Sequence, residues 1–281
     1  MQAALRKPTK AEMPLRIAAF VVLTGLIPGT QTARADGLIF ELPADGTWAR
    51  YVVKTEAEFG FKGAQPQRVS LERTLTVSSV GQLMRNDQTC RWIELELENK
   101  GGEQGAYSKL ILKLLIPQEY LRRGEDPLAH PVLTFFDPKP SDRKAPLLES
   151  YIDQGFNRIQ YEIDRFRNVF PKPLDNPTKL KPESVETPAG KFENCEVLGG
   201  TSDLDGQLVN NGRMAYHATY RLFLHAKAPF GLVAMHAEMK GTEYGRRAVS
   251  VSSKETLTLS ESGKSATSHL RQDAKGSGGR P

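Results

Sequence analysis

Apolar and polar side chains alternate with a period of two along much of the N-terminal half of the chain. Arg68–Ser79 places valine and leucine on one face and serine, threonine and glutamate on the other. Arg91–Asn99 repeats the pattern with isoleucine and leucine against three glutamates. Such alternation is typical of an antiparallel strand with one buried face. Together with Thr47–Phe59 and Ala106–Pro117, these segments predict a four-stranded meander.

The same period returns after residue 184. Val185–Val197 predicts two short strands joined by the tight turn Pro188-Ala189-Gly190. Met214–His225 and Leu232–Lys240 predict a second hairpin, and Ala248–Leu259 predicts a last strand. The C-terminal half therefore also predicts an antiparallel sheet.

Between the two β-rich halves the period changes to that of a helix. The apolar positions step by three and four residues and form one stripe: Leu148, Ile152, Phe156, Ile159, Ile163, Phe166 and Phe170. The spacing predicts one main amphipathic helix over residues 147–170. The predicted fold class is α+β, mainly β: a single domain over residues 36–261, in which a curved antiparallel sheet (a half barrel) carries this helix on its concave face.

The first 35 residues are typical of a secretory signal peptide. Basic side chains precede the apolar run Ile17–Ile27, and Ala33-Arg34-Ala35 supplies a small-x-small cleavage site. The alternative is an uncleaved anchor, but the apolar run is shorter than the roughly 20 residues that span a bilayer. We expect an exported protein, periplasmic or extracellular after cleavage near Ala35, with no transmembrane segment in the mature chain.

The basic charge lies mainly at the two ends of the chain. Residues 1–35 hold five basic side chains and one acidic one, and residues 262–281 hold four and one, against a formal net charge of +5 for the whole. The remaining body is slightly acidic, which disfavours a nucleic-acid partner. Serine, glycine and lysine dominate from Ser262 onward, and this composition predicts a disordered tail over residues 262–281.

Two cysteines, Cys90 and Cys195, both lie in predicted strands. In an exported protein they predict one disulfide, and the alternative is two buried, unpaired thiols. They are too few for a thiolate zinc site and do not form a Cys-x-x-Cys redox pair.

No catalytic motif is present in the sequence. His217, His225 and His236 share the polar face of one predicted hairpin, but face matching places Arg221 opposite His236 and no carboxylate pair completes a metal cluster. The glutamates of Arg91–Asn99 are interpreted as a solvated strand face. We therefore expect no metal site, no cofactor and no enzymatic activity.

Three short motifs carry a family resemblance: Thr187–Val197 (TPAGKFENCEV), Tyr220–Leu224 (YRLFL) and Ala228–Val233 (APFGLV). They resemble hairpins of uncharacterised bacterial exported proteins, which are similar to the lipoprotein-carrier (LolA/LolB-like) half barrel. The resemblance implies a curved antiparallel sheet closed by helices over its concave face, in an exported protein. It transfers no ligand residue.

The leading functional hypothesis is an apolar or lipid-like ligand held between helix and sheet. Its predicted lining is Phe156, Ile159, Ile163, Phe166, Tyr216, Tyr220, Leu222, Met235 and Met239. The simpler interpretation is that these side chains fill the core. The alternative functions are a cell-envelope structural or adaptor protein that binds a partner protein through a sheet edge, and an enzyme of unrecognised type.

Overall fold

A computed structural model describes residues 39–61, 63–100, 109–137, 148–150, 175–207, 213–244 and 248–270. The signal-peptide prediction and most of the helix prediction lie outside these residues. Within them, eleven strands form one antiparallel sheet with the order β6-β5-β4-β3-β2-β1-β11-β10-β9-β8-β7. The strands are β1 (Trp48–Phe61), β2 (Gln67–Arg85), β3 (Gln88–Lys100), β4 (Lys109–Pro117), β5 (Leu133–Asp137), β6 (Leu148–Ser150), β7 (Asp175–Thr187), β8 (Gly190–Gln207), β9 (Arg213–Leu224), β10 (Leu232–Tyr244) and β11 (Ala248–Gly263).

The predicted main helix is wrong. Within the described residues, helical structure is limited to three 3-10 turns of three residues each: Gln118–Tyr120, Pro127–Ala129 and Pro229–Gly231. Leu148–Ser150, the start of the predicted helix, is strand β6 and pairs with β5. An apolar residue at every third or fourth position does not exclude extended structure when a neighbouring strand offers its backbone groups for pairing.

The predicted strands are present, but β7 (13 residues) and β8 (18 residues) are much longer than the two short strands predicted over Val185–Val197. The four-stranded meander is β1–β4, and the hairpin turn at Pro188-Ala189-Gly190 joins β7 to β8. β2 runs six residues beyond its predicted end, past an irregularity between Ser79 and Gln82. Asn86 and Asp87 then both adopt positive φ, as a tight two-residue hairpin turn requires. The sequence also predicts a short edge strand over Gly37–Pro43, but the structure has no strand there from residue 39 onward.

The first and last strands pair in the middle of the sheet. β1 pairs with β2 on one side from Trp48 to Phe59, and with β11 on the other from Trp48 to Phe61. The two meanders, β1–β6 and β7–β11, are thereby joined into a single continuous sheet. We call the face that carries Tyr51 and Val53 the inner face, and the opposite one the outer face.

The sheet is strongly curled around its inner face. Arg123, which follows β4, donates to both carboxylate oxygens of Glu196 on β8, at 3.0 and 3.2 Å. β4 and β8 lie seven strand positions apart, a separation of about 34 Å in a flat sheet. One apolar cluster joins Leu112 of β4 to Leu222 of β9 across this gap. The N-terminal segment closes one end, because Phe40 N–H donates to the Phe230 carbonyl and Ile39 is buried beside it.

Candidate functional site

The inner face is a dry core at the closed end. Tyr51, Leu75, Leu222 and Leu257 are each fully buried there. The Tyr51 hydroxyl donates to the Leu232 carbonyl at 3.2 Å, and burial raises the pKa of Tyr51. This end is packed like an ordinary protein interior.

A polar layer follows the dry core on the inner face. Arg73 Nη2 donates to Thr55 Oγ1 at 3.1 Å and to Glu255 Oε2 at 3.3 Å, and Thr55 donates to the same carboxylate at 3.0 Å. The Arg73 and Glu255 side chains are only 15% and 16% exposed. A charged pair this deep is retained at a desolvation cost, and an apolar pair of similar volume is often as stable.

Tyr220 faces the same polar layer. It pairs with Ala237, which in turn pairs across β10 and β11 with Glu255. Burial and the negative charge of Glu255 raise the pKa of Tyr220. Both effects favour the neutral form of the Tyr220 side chain.

Beyond the polar layer the inner face becomes apolar again. Tyr216 and Val251 are buried, with the partly exposed Phe59 and Met239 packed against them. Gly241 lies opposite Tyr216, and a Cβ atom on it would come within 2.3 Å of the tyrosine ring. The absence of a side chain on Gly241 therefore leaves room for the Tyr216 ring. The Tyr216 hydroxyl donates to Glu243 at 2.5 Å, and burial together with this bond raises the pKa of Tyr216.

The predicted ligand-lining residues divide into three groups. Leu222 and Met235 lie in the dry core and are 0% and 1% exposed. Tyr216, Tyr220 and Met239 lie at or beyond the polar layer, on the same face. The remaining four, Phe156, Ile159, Ile163 and Phe166, lie outside the described residues.

The predicted disulfide is not formed. Cys90 and Cys195 are both free thiols, and they belong to different apolar clusters, Cys90 with Trp92 and Cys195 in the main core. Burial raises the pKa of each thiol, which keeps both in the less reactive protonated form.

The hairpin histidines lie apart from one another. His236 pairs directly with Arg221, as face matching predicted, and its pKa is lowered by burial and by that guanidinium. His217 bonds Asp203 at 2.6 Å, and His225 packs edge-on against Phe192. Among the residues that the structure describes, no group of three or more His, Cys, Asp or Glu side chains is arranged to hold a metal ion.

A second polar site lies on the outer face of β3 and β4, and sequence reasoning missed it. Glu94 and Lys113 lie opposite each other on the two strands, and each residue is only 4% exposed. Glu96 is also buried, so the interpretation of these glutamates as a solvated face is wrong for two of the three. Lys113 lies over the Trp92 ring, 5.0 Å from its centroid.

The C-terminal segment covers this outer site. The segment was predicted to be disordered from Ser262, but β11 continues to Gly263 and Lys264–Leu270 is described, with Leu270 only 4% exposed. Ser268, His269 and Leu270 all hydrogen-bond to Glu94. Residues 271–281 lie outside the described residues. No sequence motif joins positions 94, 113 and 268, because the contacts span more than 150 residues.

Comparison with known proteins gives no family assignment. No family model matches the chain, and no curated protein matches it. No helix within the described residues has the length and apolar character needed to cross a bilayer.

Several solved structures align with most of this chain, at low TM-scores. A provisionally assigned lipoprotein from Parabacteroides distasonis is 11% identical over 80% of this chain and 98% of its own, with a TM-score of 0.32. A provisionally assigned exported protein with a YmcC-like fold, from Bacteroides fragilis, is 8% identical over 80% and 99%, also with a TM-score of 0.32. Lipovitellin is 11% identical over 81% of this chain and 26% of its own, with a TM-score of 0.31. At these TM-scores the likeness does not establish a common fold, and kinship with the lipoprotein carriers stays a prediction.

Proposed function

We propose that this chain is an exported, non-enzymatic binding protein that holds an apolar, lipid-like molecule on the inner face of its curled sheet. The polar layer is the observation that carries the proposal. Arg73, Thr55 and Glu255 lie between the dry core and the apolar cluster of Tyr216 and Val251, and a few convergent polar groups within an apolar lining are typical of small-molecule sites. The N-terminal leader pattern supports export.

The lining beyond the polar layer suits an alkyl chain. Met239 is flexible and polarisable, which lets it adapt to ligands of different shape. The Tyr216 and Phe59 rings add apolar area next to it, and the hydrogen-bonding groups of Thr55, Arg73 and Glu255 form the polar layer, where a polar head group would find partners.

Native mass spectrometry of the protein purified from its own compartment tests the proposal directly. A co-purifying lipid-like molecule, lost after Met239→Lys but retained after Met84→Lys, is the expected result. Met84 is a matched control because it is a methionine with 62% exposure near the end of β2, far along that strand from Val69, the position level with Met239.

A titration with a fluorescent fatty-acid analogue provides the second measurement. We expect Met239→Lys to weaken binding about tenfold or more, because it places an ammonium in the apolar lining, and Met84→Lys to leave binding unchanged. Repeated preparations that carry no ligand, combined with no probe binding by the unmodified protein, would overturn the proposal.

The edge-strand adaptor remains the second candidate, but β7 disfavours it. β7 is an edge strand whose described side chains are mostly exposed. It carries Pro177 and Pro182, which cannot donate to a new ladder, and Lys179 and Lys181. Prolines and lysines on an edge strand are devices that block further pairing.

A further inference from the structure

The C-terminal segment reaches the outer face of the sheet through specific polar contacts. After β11 ends at Gly263, Ala266 N–H donates to the Gly46 carbonyl at 2.7 Å. The chain then crosses to β3 and β4, where Ser268-His269-Leu270 meets Glu94 and Lys113. We call these three residues the strap.

Glu94 and Lys113 bind the backbone of the strap as well as its side chains. The Glu94 carboxylate accepts from the Ser268 hydroxyl at 2.7 Å, from His269 N–H at 3.0 Å and from Leu270 N–H at 3.4 Å. Lys113 Nζ donates to the Ser268 hydroxyl at 2.8 Å and to the Leu270 carbonyl at 3.1 Å. One buried carboxylate and one buried ammonium thus satisfy donors and acceptors of a peptide.

Two further contacts distinguish the strap from an arbitrary peptide. His269 Nδ1 lies 2.7 Å from Glu96 Oε2, while more than half of the His269 side chain stays exposed. Leu270 is buried at the end of the segment. A serine hydroxyl, an imidazole near a carboxylate and a buried leucine therefore define the sequence that fits.

If the strap only covered the sheet, buried charges at Glu94 and Lys113 would not be needed. Burial lowers the pKa of Lys113, and the charge of Glu94 only partly opposes the shift. Apolar residues at positions 94 and 113 would cover the sheet without that desolvation cost. The two charges are instead satisfied by the backbone of a segment that forms no strand ladder with its neighbours.

We propose that Glu94 and Lys113 form a peptide-recognition site on the outer face of β3 and β4, and that the chain's own Ser268-His269-Leu270 segment is its detachable occupant. The site is separate from the inner face, since Glu94 alternates along β3 with the core residues Ile93 and Leu95. It fits an extended segment of the type Ser-His-Leu, supplied by the same chain.

Amide hydrogen exchange on the full chain tests whether Glu94 holds the strap. In Glu94→Gln the carboxylate charge is lost and Lys113 is left without its anion, so we expect the His269 and Leu270 amides to exchange about tenfold faster or more. Glu98→Gln is the control, since Glu98 is on the same face of β3 but its side chain is 46% exposed. Equal exchange in the two variants would contradict the proposal.

Binding in trans tests whether the site recognises a peptide. The double variant Ser268→Ala, Leu270→Asp empties the site in an otherwise complete chain. A labelled synthetic peptide, Ser-Ala-Thr-Ser-His-Leu, should bind this variant but not the unmodified protein, whose site is filled. The same peptide with aspartate in place of leucine should bind neither.

Circular dichroism and thermal unfolding establish that the double variant is folded. If it is not, the milder double variant Ser268→Ala, His269→Ala replaces it, because Leu270 then keeps covering the sheet while the side-chain contacts of Ser268 and His269 to Glu94, Lys113 and Glu96 are lost. A folded variant with a fast-exchanging strap that fails to bind the peptide would overturn the proposal and reduce the strap to a structural cover.

Discussion

At the scale of single residues, the sequence identifies which face of a strand a side chain occupies. It does not identify whether a distant segment of the chain buries that face. Glu94, Glu96 and Glu98 occupy equivalent alternate positions on β3, yet the first two are buried and the third is not. The difference arises from a segment more than 150 residues away that lies over the first two. Period-two patterns describe local alternation only, so they could not distinguish the anchoring carboxylates from the solvated one.

The Arg73–Glu255 pair provides the first prediction at this scale. Glu255→Gln leaves the Arg73 guanidinium beside an uncharged amide at 15% exposure, and we expect a loss of about 2–3 kcal/mol in the free energy of unfolding. Glu238→Gln breaks the Glu238–Lys254 contact, whose side chains are 57% and 70% exposed. It should cost about 0.5 kcal/mol or less.

Urea denaturation of the two variants measures both losses. We expect the free energy of unfolding to depend on urea concentration with the same slope in both variants. If Glu255→Gln is no more destabilising than Glu238→Gln, the polar layer contributes nothing to folding. The ion pair would then not help to hold the proposed site in its folded geometry.

At the scale of elements, the hairpins were predictable because each is local. Arg221 opposite His236 followed from face matching across a short connection, and the structure has that register. The same parity placed Tyr216, Tyr220 and Met239 on one face. The helix prediction failed because the spacing of apolar residues contains no information on whether a neighbouring strand is available for pairing. Leu148–Ser150 pairs with β5.

Gly241 and Gly199 provide the prediction at the element scale, because both lie inside strands and differ in what a side chain would meet. A Cβ at Gly241 would lie 2.3 Å from the Ala215 carbonyl oxygen and from the Tyr216 ring. At Gly199 it would meet only the end of the Leu180 side chain, at 2.9 Å. The Ala215 backbone cannot move aside to accommodate a new Cβ atom, whereas the flexible Leu180 side chain can.

We therefore expect Gly241→Ala to lower the free energy of unfolding by about 2–3 kcal/mol and Gly199→Ala by about 1 kcal/mol or less. Thermal unfolding followed by circular dichroism measures the difference. Gly241→Ala should also weaken binding of the fatty-acid probe, because the Tyr216 ring must move. Similar losses from the two variants would show that Tyr216 does not depend on Gly241 for its place.

At the scale of the whole molecule, long-range pairing produces the site. Arg73 and Glu255 are separated by 182 residues and meet because β1 pairs with both β2 and β11. Curling of the sheet then brings β4 and β8 within reach of the Arg123–Glu196 contact. Neither the pairing of β1 with β11 nor the curling of the sheet has a local sequence signal. The antiparallel sheet was therefore predictable, whereas the set of residues that meet inside it was not.

The same interior gives the molecule a definite response to alkaline pH. Tyr51, Tyr216 and Tyr220 are buried on the inner face, and burial is the largest cause of the raised pKa of each. Above the ordinary tyrosine pKa of 10.0, the unfolded chain releases these protons while the folded chain retains them. The unfolded state then binds fewer protons, so the stability is fully present below pH 10 and is lost as the pH rises beyond it.

A titration followed by tyrosinate absorbance and circular dichroism measures this response. We expect the three buried tyrosines to ionise only together with loss of the sheet signal, in one cooperative step. Tyr51→Phe should make the alkaline loss of stability shallower, since one retained proton is removed. Tyr244→Phe is the matched control, because that ring is 51% exposed at the end of β10, and it should leave the slope unchanged. Ionisation of all eight tyrosines with the sheet signal intact would mean that the inner face is open to hydroxide. In that case the dry core at the closed end of the inner face would not exist.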